Sequence, residues 1–428
     1  MRCSEPGHRA LVAIHASRGP GRRVWSVRRF CAHSPEPRVD SAQSARTFGS
    51  PDPQTNRKET ARFLTRGDEK SRMKAICLQN RCAASAIAFF GLVGFLRAAP
   101  PQYLVADLGP VGEFTESRAV NWAGQVAGVV SDRAQQAVIW NGSIPTYLNG
   151  PVGGPSRTLA EGLNNVGQAV GIAFGGRSSR AVLWNGATPV DLGEGGAFDI
   201  NDSGQIAGVL LSGGQFKAVR WDGTTLVELG WPAGTTRSDA YGINAAGQVI
   251  GIATDADRVS HATIWNGTIP TLLDAPGARM TLAYGINAAG QVAGESVTAA
   301  GESHAVLWDG TTPIDLGLLV PGGYSTGRAV NVFGDVVGLA SSAPYDSEDP
   351  LYRGFIYTDG TMYDLNSFLL TDSEVVVVSA TGINDSGQIA ADGTIDGQRH
   401  AMLLTPVPEP ASAMLLLCGA ALLTSRRR

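Results

Sequence analysis

Cysteine and lysine are almost missing from the main part of this 428-residue chain. All five cysteines lie toward the two ends, and residues 100–405 contain none. This part can form no disulfide and has no thiol nucleophile, so its stability must come from packing. Lys217 is its only lysine, and its 13 Lys and Arg face 30 Asp and Glu. Such an acidic surface argues against nucleic acid or an anionic membrane as the partner.

Motifs of the common enzyme classes are scarce as well. The chain has no phosphate-binding loop, and its single Gly-x-Ser-x-Gly match, at residues 323–327, lies ahead of a repeated Asn-x-x-Gly turn and not at the strand-to-helix turn that a nucleophile elbow needs. Paired carboxylates that cleave glycosides would leave no such motif, because the fold sets their spacing. The sequence therefore predicts a non-enzymatic protein, with a carbohydrate-cleaving enzyme as the alternative.

What the chain does contain is three short phrases, each repeated seven times. The first is Asn-x-x-Gly-(Gln/Asp), which begins at Asn121, Asn164, Asn201, Asn244, Asn287, Asn331 and Asn384. The second is Ala-x-x-Trp-(Asn/Asp)-Gly, whose aromatic position holds Trp140, Trp184, Trp221, Trp265, Trp308, Tyr357 and finally Leu404. The third is Asp-Leu-Gly or a relative, centred on Leu108, Leu148, Leu192, Leu229, Leu273, Leu316 and Leu365. Successive asparagines are 43, 37, 43, 43, 44 and 53 residues apart, a period typical of repeat architectures.

The phrases predict two hairpins in each repeat. Asparagine and glycine suit the first and fourth positions of a type I turn, so Asn-x-x-Gly joins a strand A to a strand B. Asn-Gly and Asp-Gly after the tryptophan suit a type I′ turn, which joins strand C to strand D. Each repeat is then a four-stranded antiparallel meander with the tryptophan as its apolar anchor.

Seven such meanders predict an all-β fold, a seven-bladed β-propeller. One meander cannot bury both of its faces alone, and repeats of ~40–45 residues with four strands are typical of propeller blades. The third phrase leads the series and the second ends it. The N-terminal strand D is therefore expected to pair into the last blade and close the ring. A β-helix or linear β-solenoid is the alternative, although such folds favour shorter units and parallel strands.

The histidines and acidic clusters are expected to serve the repeat and not a metal. His261, His304 and His400 all lie four residues before the anchor position, where other repeats hold Gln136, Arg180, Lys217 and Arg353. Neighbouring blades would hold them too far apart to share a zinc ion. The acidic groups at 255–257, 346–349 and 392–396 lack the alternating oxygen pattern of a calcium loop. We expect no cofactor, with calcium as the alternative.

The sequence predicts two export signals, one ahead of the repeats and one after them. Residues 1–72 are rich in Arg, Ser and Pro without a period, which indicates a spurious or disordered extension. Residues 73–99 have a basic start, an apolar run of ~15 residues and a small-residue exit, as in a secretory signal peptide. Residues 406–428 contain Val-Pro-Glu-Pro, an apolar run and three terminal arginines. That run is short for a stable transmembrane helix, which needs ~17–25 residues.

This C-terminal segment resembles the PEP-CTERM sorting signal of Gram-negative bacteria, with Pro408, Glu409 and Pro410 as its motif. The resemblance implies transient anchoring in the inner membrane and processing by an exosortase-type enzyme, followed by release to the cell surface or matrix. An ordinary tail anchor is the alternative. The repeats themselves resemble the HAF repeat of bacterial extracellular proteins, through His-Ala at 261, 304 and 400 and through Phe355. That resemblance implies an exported repeat protein and no established activity.

The predicted function is glycan or protein binding through the loops that vary most in length. In an A-B-C-D meander the B–C and D–A loops share one face, and binding residues concentrate in such loops. The longest insertion is the B–C loop at 341–353. Its aromatic and acidic residues suit sugar stacking and hydroxyl binding, and the B–C loop two blades earlier adds two carboxylates. The candidate residues are Tyr345, Asp346, Glu348, Asp349 and Tyr352, with Asp255 and Asp257. A solvated insertion without a role is the alternative.

Overall fold

The structure is a computed structural model that describes residues 14–16, 25–27, 100–109, 114–132, 134–151, 157–175, 178–341, 351–371 and 374–407. Residues 10–98 form a separate unit, in which a short hairpin of β1 (Ile14–Ala16) and β2 (Trp25–Val27) is described. The predicted signal peptide and sorting motif lie outside the described residues. Within the described ranges, no helix is long and apolar enough to cross a membrane.

Four of the predicted repeats form separate four-stranded antiparallel sheets in the order A-B-C-D. The strands of repeat 1 are β4 (Phe114–Val120), β5 (Val126–Asp132), β6 (Ala134–Asn141) and β7 (Ile144–Leu148). Those of repeat 4 are β15 (Thr235–Ile243), β16 (Val249–Asp255), β17 (Ser260–Asn266) and β18 (Ile269–Leu272). Those of repeat 5 are β19 (Ala278–Ile286), β20 (Val292–Thr298), β21 (Ser303–Asp309) and β22 (Thr312–Asp315). Those of repeat 6 are β23 (Ser325–Val330), β24 (Val336–Ser341), β25 (Tyr352–Thr358) and β26 (Thr361–Asp364).

Repeats 2 and 3 share one seven-stranded sheet. Its strands are β8 (Arg157–Leu163), β9 (Gln168–Gly175), β10 (Ser178–Asn185), β11 (Thr188–Ile200), β12 (Gln205–Ser212), β13 (Gln215–Asp222) and β14 (Thr225–Glu228). Strand β11 has 13 residues, because strand D of repeat 2 continues into strand A of repeat 3 without a loop. This junction accounts for the shortest asparagine step, 37 residues.

Repeat 7 takes its fourth strand from the N-terminal side of the repeats. Its own strands are β28 (Val375–Ile383), β29 (Ile389–Ile395) and β30 (Gln398–Pro406). Strand β3 (Tyr103–Asp107) pairs antiparallel with β30, as the order of the phrases predicts. A 3₁₀ helix (Leu365–Phe368) leads into β27 (Leu369–Leu370), which adds to the free edge of β3 in parallel.

The chain is therefore all-β, in a propeller-like arrangement of small antiparallel sheets. The expectation of seven separate blades is wrong. Five sheets have the size of a blade, and two repeats share the sixth because β11 is continuous. The anchors behave as predicted in five repeats, where Trp140, Trp184, Trp221, Trp265 and Trp308 are at most 1% exposed.

The turn asparagines connect neighbouring repeats, a role that turn chemistry alone does not predict. The side-chain oxygen of Asn287 accepts from the Gln291 N–H at 2.9 Å within its own turn. Its Nδ2 donates to Gln291 Oε1 at 2.8 Å and to the Asn331 carbonyl of the next repeat at 2.7 Å. The same inter-repeat bond starts from Asn121, Asn164, Asn201, Asn244 and Asn384.

We expect β3 and the residue that follows it to be essential for stability, and Leu104 in β3 and Leu108 directly after it provide a matched test. Leu108 is 1% exposed and Leu104 is 54% exposed. Leu108→Ala should lower the free energy of unfolding by about 2–5 kcal/mol, because it opens a cavity in the core. Leu104→Ala should change it by less than about 0.5 kcal/mol. Urea denaturation of both variants measures the difference, and equal stabilities would show that β3 is not packed in solution.

We also expect that replacing a turn asparagine by aspartate lowers the stability of the protein. In Asn287→Asp a buried carboxylate would face the Asn331 carbonyl and Gln291 Oε1, which both accept hydrogen bonds. The expected loss is about 2–3 kcal/mol. Asn266→Asp is the control, because equivalent C–D turns already hold Asp222 and Asp309. A similar melting temperature for the two variants would contradict the inter-repeat role of Asn287.

Candidate functional site

Every A strand carries a β-bulge three residues before its turn asparagine. The register of the A–B pairing steps over one residue in each repeat. We call these the bulge residues: Arg118, Glu161, Phe198, Tyr241, Tyr284, Arg328 and Thr381. A bulge redirects a side chain away from the normal alternation of a strand, and bulges are common beside active sites.

The bulge position is chemically diverse, whereas its two neighbours are small. The residue before it is Ala in five repeats, Ser in repeat 1 and Gly in repeat 6. The residue after it is Gly or Ala in six repeats and Asp199 in repeat 3. All seven bulges have the same backbone geometry, so folding alone does not require a different side chain at this position in each repeat. The arginines, glutamate, aromatics and threonine at this position are therefore candidates for function.

Backbone contacts bring successive bulges together. A Cβ atom on Gly162 would lie 2.7 Å from the Cα of Asp199, and one on Gly285 would lie 2.6 Å from the Arg328 carbonyl oxygen. Only glycine permits this approach, which explains the small residues beside the bulge. The side chains meet as well. Arg118 Nε lies 3.4 Å from Glu161 Oε2, and the Phe198 and Tyr241 rings form an edge-to-face pair at 5.5 Å.

The bulge residues divide into a charged part and an aromatic part. Phe198, Tyr241 and Tyr284 come from three consecutive repeats and are half-buried. Arg118 lies in repeat 1 and also contacts Glu116 Oε2 at 2.6 Å. Burial disfavours the charge of Arg118, but Glu161, Glu116 and Asp392 outweigh burial and raise its pKa above the usual value.

Asp392 supports the charged part from strand β29. Its Oδ1 accepts hydrogen bonds from the Ser117 N–H at 2.6 Å and from the Ser117 hydroxyl at 2.8 Å. The residue keeps some solvent contact, whereas its carboxylate is enclosed by protein. Desolvation raises the pKa of Asp392 to about 6, and the opposing attraction of Arg118 is smaller.

The predicted loop site is described only in part. Tyr345, Asp346, Glu348 and Asp349 lie outside the described residues. Tyr352 begins β25 and packs edge-to-face on Tyr324 of its own repeat, with ring centres 5.8 Å apart.

The two aspartates predicted from the earlier B–C loop lie in a tight turn of repeat 4. Asp255 Oδ1 accepts from the Val259 N–H at 2.9 Å, and its Oδ2 lies 3.5 Å from His261 Nε2. Asp257 is exposed at the tip of the turn. The contacts described for Asp255 and Tyr352 thus stay within their own repeats and do not join them into one site.

The predicted polar slot of strand C is confirmed as a repeat feature. In each repeat the slot residue pairs with a polar residue of strand D or of the one or two positions after it, as His304 Nδ1 does with Asp315 Oδ2 at 2.9 Å. The other pairs are Gln136–Asn149, Arg180–Asp191, Lys217–Glu228, His261–Asp274, Arg353–Asp364 and His400–Asp107. Across the described ranges, no three metal-ligating side chains gather at one point.

A small concave pocket lies beside the A–B turns of repeats 6 and 7. Its volume is about 220 Å³. Phe333, Asp335, Asp385 and Pro406 line it together with Tyr103 of β3. Desolvation, and then the charge of Asp335, raise the pKa of the Tyr103 hydroxyl above its usual value.

Comparison with known proteins identifies no family. No family model matches the chain, and no curated protein matches it. TolB from Acinetobacter baumannii is 11% identical over 66% of this chain and 63% of its own, with a TM-score of 0.37. A puromycin-hydrolyzing peptidase from Mycobacterium tuberculosis is 12% identical over 73% and 56%, with a TM-score of 0.46. A gluconolactonase from Xanthomonas campestris is 12% identical over 73% and 96%, with a TM-score of 0.36.

This chain therefore spans less than two thirds of the length of TolB and of the peptidase. At these identities and TM-scores the likenesses carry no argument about activity or ligand.

Asp392 should make stability depend on pH. Because its folded pKa is raised, its contribution is complete below pH ~4 and is lost as the pH rises through about 6. In Asp392→Asn this loss should disappear. Relative to wild type, the variant should gain about 1–2 kcal/mol between pH 4 and pH 7, less than the full shift implies because some solvent contact remains.

Chemical denaturation at both pH values measures this gain. Asp396→Asn, at the exposed turn between β29 and β30, controls for the loss of one surface charge. Parallel pH profiles for Asp392→Asn and wild type would contradict the assignment.

Proposed function

We propose that this chain is an exported, non-enzymatic β-propeller that binds a glycan, and that the bulge residues form the binding site. One observation carries the proposal. Seven equivalent bulges present side chains that differ in charge and aromaticity on a backbone that is otherwise repeated. A rigid scaffold whose bulge residues differ from repeat to repeat is better suited to recognising a ligand than to serving only as a structural support.

The proposal includes a closed ring of seven blades, in which the seven-stranded sheet contributes two blades joined by β11. Four contacts between the two ends of the repeat series support closure. Strand β3 pairs with β30, and Asp107 of β3 fills the strand-D place opposite His400 at 2.8 Å. Asn384 Nδ2 donates to the Asn121 carbonyl at 2.9 Å. A Cβ on Gly382 would lie 3.3 Å from the backbone nitrogen of Val120.

The chemistry of the bulge residues favours a glycan over a protein ligand. Sugar rings present apolar faces that stack on aromatic side chains, and here three aromatics stand in successive repeats. Sugar hydroxyls donate to carboxylates and accept from guanidinium groups, which Glu161 and Arg118 provide. These side chains are half-buried, as expected for residues that enclose a small unit and do not meet a flat protein surface.

The location follows from the two ends of the sequence. We propose that residues 73–99 direct export and that residues 406–428 hold the precursor in the inner membrane of a Gram-negative bacterium. An exosortase-type enzyme would then act near Pro408–Pro410 and release the propeller to the cell surface or matrix. The lack of cysteine in residues 100–405 supports a domain that needs no disulfide formation after export.

The alternative is a glycosidase or polysaccharide lyase acting on exopolysaccharide. Its specific support is the carboxylate cluster around Arg118, formed by Glu116, Glu161 and Asp392. A carboxyl group with a pKa of about 6 can act as a general acid or base near neutral pH. Release of reducing ends from bacterial polysaccharides by the purified protein would favour the enzyme.

Binding should depend on the aromatic bulge residues and not on the long B–C loop. Tyr241→Ala and Tyr284→Ala should each weaken binding about tenfold or more, which corresponds to ~1.4 kcal/mol of lost stacking. Phe333→Ala removes an exposed aromatic outside the bulges and should bind as wild type does. An array of bacterial oligosaccharides, followed by titration calorimetry on the best ligand, measures these effects.

A replacement of residues 343–350 by a short Gly-Ser linker separates the two candidate sites. Binding should survive this replacement if the bulges hold the ligand. Loss of binding in the linker variant, with full binding by the tyrosine variants, would move the site to the loop.

A further inference from the structure

The exposed large apolar side chains of the described residues gather at one end of the sheets. Eleven are exposed, and nine of these lie in A–B turns or in the first three residues of D strands. The nine are Leu104, Trp122, Ile144, Val166, Leu226, Ile269, Ile314, Val332 and Phe333. We call this end, with its A–B and C–D turns, the turn face.

The two kinds of turn lie side by side at this end. Gln168 Nε2, which follows an A–B turn, donates to Asn185 Oδ1 of a C–D turn at 2.6 Å. The same contact joins Gln205 to Asp222 at 2.8 Å and Gln248 to Asn266 at 2.7 Å. The apolar side chains on both kinds of turn therefore belong to one surface.

The turn tips are unusually apolar for residues that are exposed to solvent. Turns normally hold polar residues, but Trp122 is 67% exposed and Phe333 is 75% exposed at the two central positions of their A–B turns. Repeats 4 and 5 add exposed Ala-Ala pairs at the same positions. None of the fourteen central residues of the A–B turns is Lys or Arg, and Asp202 and Asp385 are the only charged ones. The C–D turns of the same face add the exposed carboxylates of Asp222, Asp309 and Asp359. The face therefore combines apolar turn tips with a net negative charge.

The chain also leaves the sheets at the turn face. Thr405, near the end of β30, lies 3.4 Å from Gln388 Nε2, which follows the A–B turn of repeat 7. The Val407 N–H donates to the Gln102 carbonyl at 2.8 Å. The apolar run of the C-terminal segment begins at residue 411, four residues beyond Val407.

We propose that the turn face lies against the lipid bilayer that the C-terminal segment enters, with Trp122 and Phe333 at the level of the headgroups. The inference rests on the proposed anchoring by that segment. The short connection makes the contact intramolecular, so a few apolar side chains suffice to orient the domain. Aromatic rings favour this depth of a membrane. The lipid is of zwitterionic type, because Asp202 and Asp385 would repel an anionic surface.

Trp122 gives the experiment a built-in probe. The five anchor tryptophans are at most 1% exposed, and Trp25 belongs to the separate unit. Trp231 is half-buried after β14 and follows Gly230, whose N–H donates to the Thr268 carbonyl of a C–D turn at 2.9 Å. The full chain, Trp122→Phe and Trp231→Phe would be reconstituted into phosphatidylcholine vesicles, with and without brominated acyl chains. Bromine quenches nearby tryptophan. Wild type should be quenched. Trp122→Phe should lose at least half of the quenching, and Trp231→Phe should lose less than Trp122→Phe because Trp231 is half-buried.

Flotation of the same samples separates this inference from the proposed anchoring. Protein that floats with the vesicles, with equal quenching in all three forms, would keep the anchor and overturn the orientation. Protein that does not float would overturn both. A second set of vesicles with phosphatidylglycerol tests the lipid type. Quenching of Trp122 that is stronger there than in phosphatidylcholine would overturn the zwitterionic assignment.

Discussion

The buried asparagine of each A–B turn is the interaction on which the rest of the structure depends. Its side chain closes its own turn through the following residues, and in six of the seven repeats it also donates to the carbonyl of the asparagine in the neighbouring repeat. A single four-stranded sheet leaves both faces without cover, so every repeat needs a neighbour. The asparagine sets the distance and the level at which that neighbour packs. The tryptophans can then be buried between sheets, and the bulges of successive repeats can meet.

A repeated backbone allows function to vary without loss of the fold. The turn asparagine and the buried anchor of each repeat contribute to packing, and substitutions there are costly. The bulge residue is different, because its side chain leaves the pleat of the strand while small neighbours accept the close backbone approach. Seven positions can therefore change from arginine to tyrosine to threonine within one chain. The same logic holds at the turn tips, where the backbone geometry is kept and Trp122 and Phe333 stand in places that are alanine in repeats 4 and 5.

The candidate site was within reach of the sequence but was not recognised there. Alignment of the seven copies on their asparagines places Arg118, Glu161 and Phe198 in one column between two columns of small residues. Loop length pointed instead to the insertion at 341–353, of which Tyr352 is described and packs on Tyr324. The bulge itself could not be derived from the sequence, because the small residues beside it also suit an ordinary, tightly packed strand. Its cause lies in the register between two strands and in the approach of the neighbouring repeat.

By itself the sequence determined the strands, their turns, the buried tryptophans and the pairing of β3 with β30. These features depend on chemistry between residues close in the chain, or on the order in which complete phrases appear. Only the tertiary structure decided that β11 runs through two repeats and that six turn asparagines bond to the neighbouring repeat. It also decided where the bulge side chains and the end of β30 lie. Those features depend on distances between repeats that lie 37 to 53 residues apart or more, and such distances are set by packing and not by local propensity.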